Sequence, residues 1–244
     1  MEPHSEPAAA GYTAPTGRAE QRETGRRNGL PTYLVLDTSG SMKPFEQLLN
    51  ATLTEVVDTL YASPRVAEFI HLSIVSFNTR PHVVLPMTDI SQLTGLPVVE
   101  CQGRTQYGAM FDLLRDRIDG DIGGLQAGGV QAYRPVVFLL TDGIPSDGGT
   151  WRSSFAALRD PGWRRRPGLV SYGFGTASEA VLEEVSTLAA YIAEPGREEE
   201  NKKALSRALT SVMRTLVASA SAQQLQLPHE VEGYKSVPLE FADM

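Results

Sequence analysis

The sequence predicts an α/β fold with a doubly wound, mostly parallel sheet that is flanked by helices. Short apolar runs recur along the chain, and each is bounded by turn-forming residues, as is typical of strands buried on both faces. Amphipathic segments of helical period separate these runs. Such alternation favours a parallel, Rossmann-like sheet with helical crossovers. No period of 20–50 residues repeats along the chain, which excludes a solenoid.

Two of the predicted strands are wholly apolar and lead into an aspartate. Residues 33–36 are followed directly by Asp37, whereas residues 136–140 are followed by Thr141 and Asp142. The other predicted strands, in chain order, are 69–77, 83–85, 169–174 and 191–193. The second and third strands are close enough in the chain to form a hairpin.

The predicted helices place apolar side chains on one face at helical spacing. In chain order they are 44–60, 107–118, 151–158, 179–188 and 202–218. Pro44 suits the first turn of the first helix, and Pro64 is expected to close it. The glycine-rich segment 120–129 is predicted to be a loop.

Composition divides the chain into a central domain with two polar ends. Residues 1–29 are rich in small and charged residues and nearly lack aliphatic ones, which predicts a disordered leader. Residues 30–220 are expected to form one domain, and residues 221–244 a polar, acidic C-terminal tail.

Charge and cysteine content exclude several classes of protein. The formal net charge of −7 argues against a nucleic-acid binder, because such domains are basic. Cys101 is the single cysteine, which excludes an internal disulfide and a CxxC redox pair. No apolar stretch is long enough to span a membrane, and no apolar signal core begins the chain. We therefore expect a cytoplasmic protein with no membrane partner.

Polar residues at the ends of the two apolar strands predict a cation site. In open α/β sheets, ligands bind beyond the carboxyl ends of the strands. Asp37, Ser39 and Ser41 alternate along the first of these loops, and Asp142 follows the other strand. Carboxylate and hydroxyl oxygens suit Mg²⁺, Mn²⁺ or Ca²⁺ better than Zn²⁺ or copper. The alternative for Asp37 is an Asx turn or a helix cap, and Asp147 is better explained as a turn residue.

The segment Asp-Thr-Ser-Gly-Ser at 37–41 resembles the DxSxS signature of the von Willebrand factor A domain. That family adds a threonine before the second helix and an aspartate after the fourth strand, which Thr105 and Asp142 match in type and order. The resemblance implies a metal-ion-dependent adhesion site (MIDAS). In that site the hydroxyls of Ser39, Ser41 and Thr105 bind the ion directly, while Asp37 and Asp142 act mostly through waters.

The resemblance also implies the chemistry of the partner. Mg²⁺ takes about six oxygens, and five side chains that give one atom each leave room for another ligand. A partner's Asp or Glu carboxylate is the expected sixth ligand. Arg104 stands where the family often has a small residue, and its guanidinium is expected either to pair with that carboxylate or to point into solvent. Asn78 is better explained as a turn residue than as part of the site.

Enzymatic function is not expected. Ser39 occupies the place where an aspartyl-phosphate phosphatase carries its second acid, and the chain contains neither a P-loop nor a GxSxG elbow. The four histidines are scattered, and no base accompanies a nucleophile. Weak metal-assisted hydrolysis remains open. Residues 163–166, Trp-Arg-Arg-Arg, could contact an acidic partner or nucleic acid, or could simply be a solvated connector.

The function predicted from these residues is that of a metal-dependent adaptor. Segments 30–42 and 141–147 are similar to the tellurium-resistance branch of bacterial stress operons, which implies a kinase or phosphatase of the same system as partner. The alternative is an accessory subunit of a chelatase-like ring ATPase. An extracellular adhesion domain is the third hypothesis, which the missing signal core and disulfides disfavour.

Overall fold

The computed structural model describes residues 27–93, 95–96 and 98–239 and confirms the predicted fold class. Eight strands of these residues form one sheet: β1 (Arg27–Asp37), β2 (Ile70–Phe77), β3 (Pro81–Asp89), β4 (Val130–Ala132), β5 (Val136–Thr141), β6 (Gly168–Gly173), β7 (Ala189–Ala193) and β8 (Tyr234–Val237). Their order is β3-β2-β1-β5-β6-β7-β8, and β4 pairs with the beginning of β1. The antiparallel pairs are β2 with β3 and β7 with β8, and the others are parallel.

Helices cover both faces of the sheet. They are α1 (Glu46–Tyr61), α2 (Pro64–Phe69), α3 (Tyr107–Ala127), α4 (Trp151–Leu158), α5 (Glu179–Val185) and α6 (Glu198–Ala222), with short 3₁₀ helices at Gly40–Phe45 and Ile90–Gln92. Along β1, Leu34 and Leu36 pack in the core formed with α1 and α6, whereas Tyr33 and Val35 pack in the core formed with α3 and α4. A strand buried on both faces explains why this segment is continuously apolar.

Helix α3 continues through the glycine-rich segment that was predicted to be a loop. Ile122 is buried there, and Asp121 accepts hydrogen bonds from the Tyr33 hydroxyl at 3.1 Å and from Arg117 at 2.6 Å. A Cβ added to Gly120, Gly123 or Gly124 would meet nothing within 4 Å, so these glycines lie on the open side of the helix. Tertiary contacts therefore outweigh the cost of glycine in a helix, about 1 kcal/mol each.

Both ends of the chain carry more strand than expected. Strand β1 begins at Arg27, so residues 27–29 of the predicted leader pair with β4, while residues 1–26 lie outside the described residues. Strand β8 lies within the predicted tail and pairs with β7 at the edge of the sheet. Strand β8 was not recognised in the sequence because it lacks an apolar run: Val237 is the only one of its four residues that is buried. The domain limits of 30 and 220 stay a prediction.

Smaller differences concern the turns between elements. Pro64 does not simply end the first helix: α1 stops at Tyr61, and Pro64 begins the short helix α2, where its missing N–H costs nothing. Phe69, predicted to begin a strand, is the last residue of α2. Among the described residues, no helix is long and apolar enough to cross a bilayer.

The register of the central strands positions the site. Leu36 of β1 pairs with Leu140 of β5 in parallel orientation. The residues that follow, Asp37 on one strand and Thr141 with Asp142 on the other, therefore emerge side by side at the same edge of the sheet.

Candidate metal centre

The carboxylate of Asp37 lies at the buried bottom of the site. The residue is fully buried, and its two oxygens accept different hydrogen bonds. Oδ1 accepts from the backbone N–H of Ser39 at 2.9 Å, which is the turn expected for an Asp-x-Ser sequence. Oδ2 accepts from the Thr141 hydroxyl at 2.7 Å. The carboxylate is thereby fixed both to its own loop and to the neighbouring strand.

Two serine hydroxyls connect this loop to Asp142. The Oγ atoms of Ser39 and Ser41 lie 3.1 Å apart, and Ser41 Oγ donates to Asp142 Oδ1 at 2.8 Å. Ser39 is buried, whereas Ser41 is exposed at the first turn of the 3₁₀ helix. The two hydroxyls therefore connect the exposed surface of this loop to the buried carboxylate of Asp142.

Thr105 joins the same cluster from a third loop, and Gly143 leaves space at its centre. A Cβ built on Gly143 would lie 3.5 Å from Thr105 Oγ1 and 3.9 Å from both Asp37 Oδ2 and Ser41 Oγ. Oxygens from three loops thus surround one point that a larger side chain would fill. The structure therefore brings Asp37, Ser39, Ser41, Thr105 and Asp142 together.

Backbone hydrogen bonds hold the three loops against one another. Gly40 N–H donates to Gly103 O at 3.0 Å, Gln102 N–H to Thr38 O at 2.8 Å, and Ser146 N–H to Thr105 O at 2.8 Å. Gly103 adopts φ 76°, and a Cβ there would lie 2.5 Å from Thr79 Oγ1. Glycine is required at this position, because any larger residue would be strained and would clash.

The electrostatics of the cluster favour a cation. Burial raises the pKa of Asp37 despite the hydrogen bonds from Thr141 and Ser39. Burial, together with the nearby charge of Asp37, raises the pKa of Asp142 to about 6. Within the part of the chain that the structure describes, neither carboxylate forms an ion pair with a basic side chain. A bound cation would supply the missing positive charge.

The donor set fits a hard cation. The convergent atoms are hydroxyl and carboxylate oxygens, which are the ligands that Mg²⁺, Mn²⁺ and Ca²⁺ prefer. The described residues contain no cluster of three or more His, Cys, Asp or Glu side chains that could hold a metal. A site rich in sulfur or imidazole is therefore excluded from that part of the chain, and the hydroxyl-rich cluster remains the candidate centre.

Three further residues singled out in the sequence lie around the centre with different roles. The Arg104 side chain is exposed and forms no ion pair with a described residue. Asp147 Oδ2 accepts from the backbone N–H of Gly108 at 2.8 Å, so it caps the first turn of α3. Asn78 Oδ1 accepts from Arg80 N–H at 3.1 Å, as expected for a turn residue.

Sequence reasoning missed Thr141 and Gly143. Thr141 donates to Asp37 and accepts from Gly143 N–H at 3.2 Å, so one hydroxyl joins the Asp37 carboxylate to the backbone of the loop after β5. The available signal was a single hydroxyl at the end of an otherwise apolar strand. No comparable signal marks Gly143, because its importance is the space beside it.

The family model for the von Willebrand factor type A domain matches residues 33–199, which is more than half of the chain. The chain belongs to the von Willebrand factor type A domain family. This confirms the family predicted from the three motif segments. None of the curated proteins matches the chain significantly.

Solved structures show the same von Willebrand factor type A (VWA) fold at low sequence identity. Proximal thread matrix protein 1 from the mussel byssus is 18% identical, with a TM-score of 0.55, over 78% of this chain and 48% of that one. A second structure of that protein, with zinc in its MIDAS motif, has a TM-score of 0.54 and the same identity and coverage. The pilus adhesin SpaC from Lactobacillus rhamnosus GG is 11% identical, with a TM-score of 0.57, over 78% of this chain and 30% of that one. This chain therefore spans about half or less of these proteins.

Proposed function

We propose that this VWA protein is a metal-ion-dependent interaction module that binds a carboxylate of a protein partner and catalyses no reaction. The observation that carries the proposal is the convergence of Thr105 Oγ1, Ser41 Oγ and Asp37 Oδ2 on the space beside Gly143. The proposed ligand set is Asp37, Ser39, Ser41, Thr105 and Asp142. Mg²⁺ is the proposed ion, with Mn²⁺ and Ca²⁺ as the chemically similar alternatives.

Each side chain has a distinct part in this proposal. The hydroxyls of Ser39, Ser41 and Thr105 are neutral donors, so they leave most of the charge of a bound cation uncompensated. Such a cation would supply an electrophilic position for the partner's carboxylate. Asp37 and Asp142 orient the hydroxyls, since Asp142 accepts from Ser41 and Asp37 accepts from Thr141. Their negative charges also attract the cation into a buried position.

Arg104 is proposed to assist the partner's carboxylate from the rim. The residue lies between Gly103 and Thr105, and its exposed guanidinium has no partner among the described residues. Its backbone N–H donates to Thr79 Oγ1 at 3.0 Å, which holds the main chain in place while the side chain remains available. A rim charge contributes modestly, and added salt screens it.

The identity of the ion is tested by calorimetric titration with Mg²⁺, Mn²⁺, Ca²⁺ and Zn²⁺. Mg²⁺ competes with the other divalent ions only at sites whose ligands are oxygens. Zinc is included because it occupies the MIDAS motif of the mussel protein. We expect measurable Mg²⁺ binding that Thr105→Val removes and Thr105→Ser retains, because only serine keeps the hydroxyl. Equal Mg²⁺ binding by Thr105→Val and wild type would contradict the proposed ligand set.

The interaction itself is tested by affinity capture in Mg²⁺ and in EDTA, followed by titration of the captured partner. We expect Ser41→Ala and Thr105→Val to weaken binding by about 2–5 kcal/mol, because loss of the cation that these hydroxyls would hold removes one side of a charged contact with the partner's carboxylate. Arg104→Ala should weaken binding less, and its effect should decrease with added salt. Equal partner affinity in the two buffers would reject the metal-bridged mechanism.

The cellular system in which the protein acts is proposed from the similarity of two short segments. The similarity of segments 30–42 and 141–147 to the tellurium-resistance branch favours a bacterial stress system and a cytoplasmic location. A kinase or phosphatase encoded beside this protein is the partner this proposal expects. Copurification with a ring ATPase instead would favour the chelatase-like alternative.

A further inference from the structure

A cleft of about 570 Å³ opens at the amino-terminal ends of the parallel strands. The candidate metal centre lies at their carboxyl ends. The cleft lies before β5 and β6, between residues 133–135 on one side and residues 163–166 on the other. Ile122 and Gln126, near the end of α3, also line it, together with Ala132 and Pro161. The length of the strands thus separates the cleft from the metal centre, and the proposed function does not use the cleft.

The charge of this cleft is opposite to that of the whole chain. Arg134, Arg164, Arg165 and Arg166 line it, and no acidic residue is among its described lining residues. The chain as a whole carries a formal charge of −7. Asp119 forms an ion pair with Arg165 at 3.2 Å, and a bound anion would compensate the positive charge that Arg164 and Arg166 bring to the cleft.

Contacts from the surrounding elements hold the walls of the cleft in place. Asp119 of α3 accepts from Trp163 Nε1 at 3.2 Å and, through its backbone oxygen, from Arg165 Nη1 at 2.6 Å. The guanidinium carbon of Arg115 lies 4.6 Å from the centre of the Trp163 ring. Arg134 donates to the backbone oxygens of Arg166 at 3.2 Å and Pro167 at 3.1 Å. The cleft is therefore preorganised.

The guanidinium groups of Arg164 and Arg166 take no part in these contacts. Neither forms a hydrogen bond or an ion pair with a described residue, although Arg166 is half-buried. Arginine presents a planar set of donors that matches phosphate oxygens. These two side chains are thus available to a phosphate group, while Asp119 and the backbone hold the others.

We propose that this cleft binds a nucleotide, with its phosphates on Arg164 and Arg166 and its base on Tyr133. Tyr133 lines the cleft and is 39% exposed, so part of its ring is open for stacking. One face of Trp163 is covered by Arg115, whereas Tyr133 meets the Phe69 ring only edge to face, at 5.8 Å between ring centres, and keeps its exposed part for a base. The cleft volume lies within the range of small-molecule sites. The net negative charge outside the cleft disfavours a long polyanion such as RNA.

The proposal is tested by calorimetric titration of the full chain with ADP, pyrophosphate and adenosine in EDTA. Chelation keeps the metal centre from contributing through a metal-bound phosphate. We expect ADP to bind more tightly than pyrophosphate, and adenosine to bind weakest. Arg164→Gln and Arg166→Gln should each weaken ADP about tenfold or more, as for loss of one charged hydrogen bond. Tyr133→Ala should weaken ADP and leave pyrophosphate unchanged.

The matched control is Arg214→Gln, which removes one exposed arginine from α6, on the other face of the sheet. It should bind ADP as wild type does. Arg164 is exposed and does not brace the cleft, so its variant keeps the test valid if Arg166→Gln fails to fold. Absence of ADP binding at millimolar concentration, equal affinity for ADP and pyrophosphate, or full ADP affinity in Arg164→Gln would each overturn the proposal. Binding of a phosphoserine peptide or of RNA without binding of ADP would also overturn it.

Discussion

The buried carboxylate of Asp142 should make the metal-free protein less stable than a neutral version of the same site. Asp142 is 5% exposed, and burial together with the charge of Asp37 raises its pKa from 3.8 to about 6. Between these two values the folded protein holds the proton more tightly than the unfolded chain does. The free energy of unfolding therefore falls as the pH rises through this range.

The variant Asp142→Asn removes the charge and keeps an oxygen that can accept from Ser41. The pKa shift from 3.8 to about 6 corresponds to about 3 kcal/mol at pH 7, at 1.36 kcal/mol per unit. This value is an upper limit, because Asp37 contributes to the shift and titrates with Asp142. In EDTA at pH 7 we expect Asp142→Asn to be more stable than wild type by up to about 3 kcal/mol. The gain should shrink as the pH is lowered toward 4.

Mg²⁺ should stabilise the wild type much more than the Asp142→Asn variant. Binding to the folded state alone raises wild-type stability by about 2.7 kcal/mol at 100 times the dissociation constant, while Asp142→Asn should gain little. Urea unfolding at pH 5 and pH 7, in EDTA and in Mg²⁺, measures both effects. Asp147→Asn is the matched control, because it weakens the cap of α3 and should lower stability. An Asp142→Asn protein that is less stable than wild type in EDTA at pH 7 would refute the reasoning.

Three further outcomes can be measured. Gly143→Ala should fold normally, because its methyl group would make only an ordinary contact of 3.5 Å with Thr105 Oγ1. It should bind Mg²⁺ about 10- to 100-fold more weakly in calorimetry, because the methyl group would occupy the space between the site oxygens; unchanged affinity would contradict this. Cys101 is 3% exposed and burial raises its pKa to about 12, so iodoacetamide at pH 8 should label it far more slowly in the folded protein than in urea; equal rates would show an accessible thiol. Deleting residues 223–244 removes β8 from the edge of β7 and should lower the Tm or cause aggregation, and an unchanged melting curve would show that β8 adds nothing.

Much of the candidate site could be predicted because local sequence encodes it. Asp37 directly follows an apolar run, and Asp142 follows another after the single residue Thr141; such runs show where buried strands end. Thr141 and Gly143 could not be assigned in the same way. Their roles depend on the pairing of β1 with β5, which brings the Thr141 hydroxyl to Asp37 and places Gly143 beside Thr105. Register between distant strands leaves no trace in the local pattern of either strand.

The elements that could not be predicted are those whose stability comes from distant contacts. The last turns of α3 contain three glycines, and they persist because Ile122 is buried and Asp121 binds Tyr33. Two of the four residues of β8 are exposed, and the strand is held by its pairing with β7, by the burial of Val237 and by the hydrogen bond from the Tyr234 hydroxyl to Ala204 O at 2.9 Å. Propensity and periodicity describe a segment by itself, so they fail where a neighbour decides the conformation.

Strand β1 also determines how the protein would bear mechanical load. The polypeptide enters this strand at Arg27, and the candidate metal centre begins at its other end with Asp37. A partner pulling on that centre, against an anchor on the preceding chain, would load β1 along its own axis. Force that enters the centre through Thr105 or Asp142 would reach β1 across its pairing with β2 and β5, and it would load both ladders of hydrogen bonds in shear. Tension would thus be shared among many bonds instead of opening them one at a time.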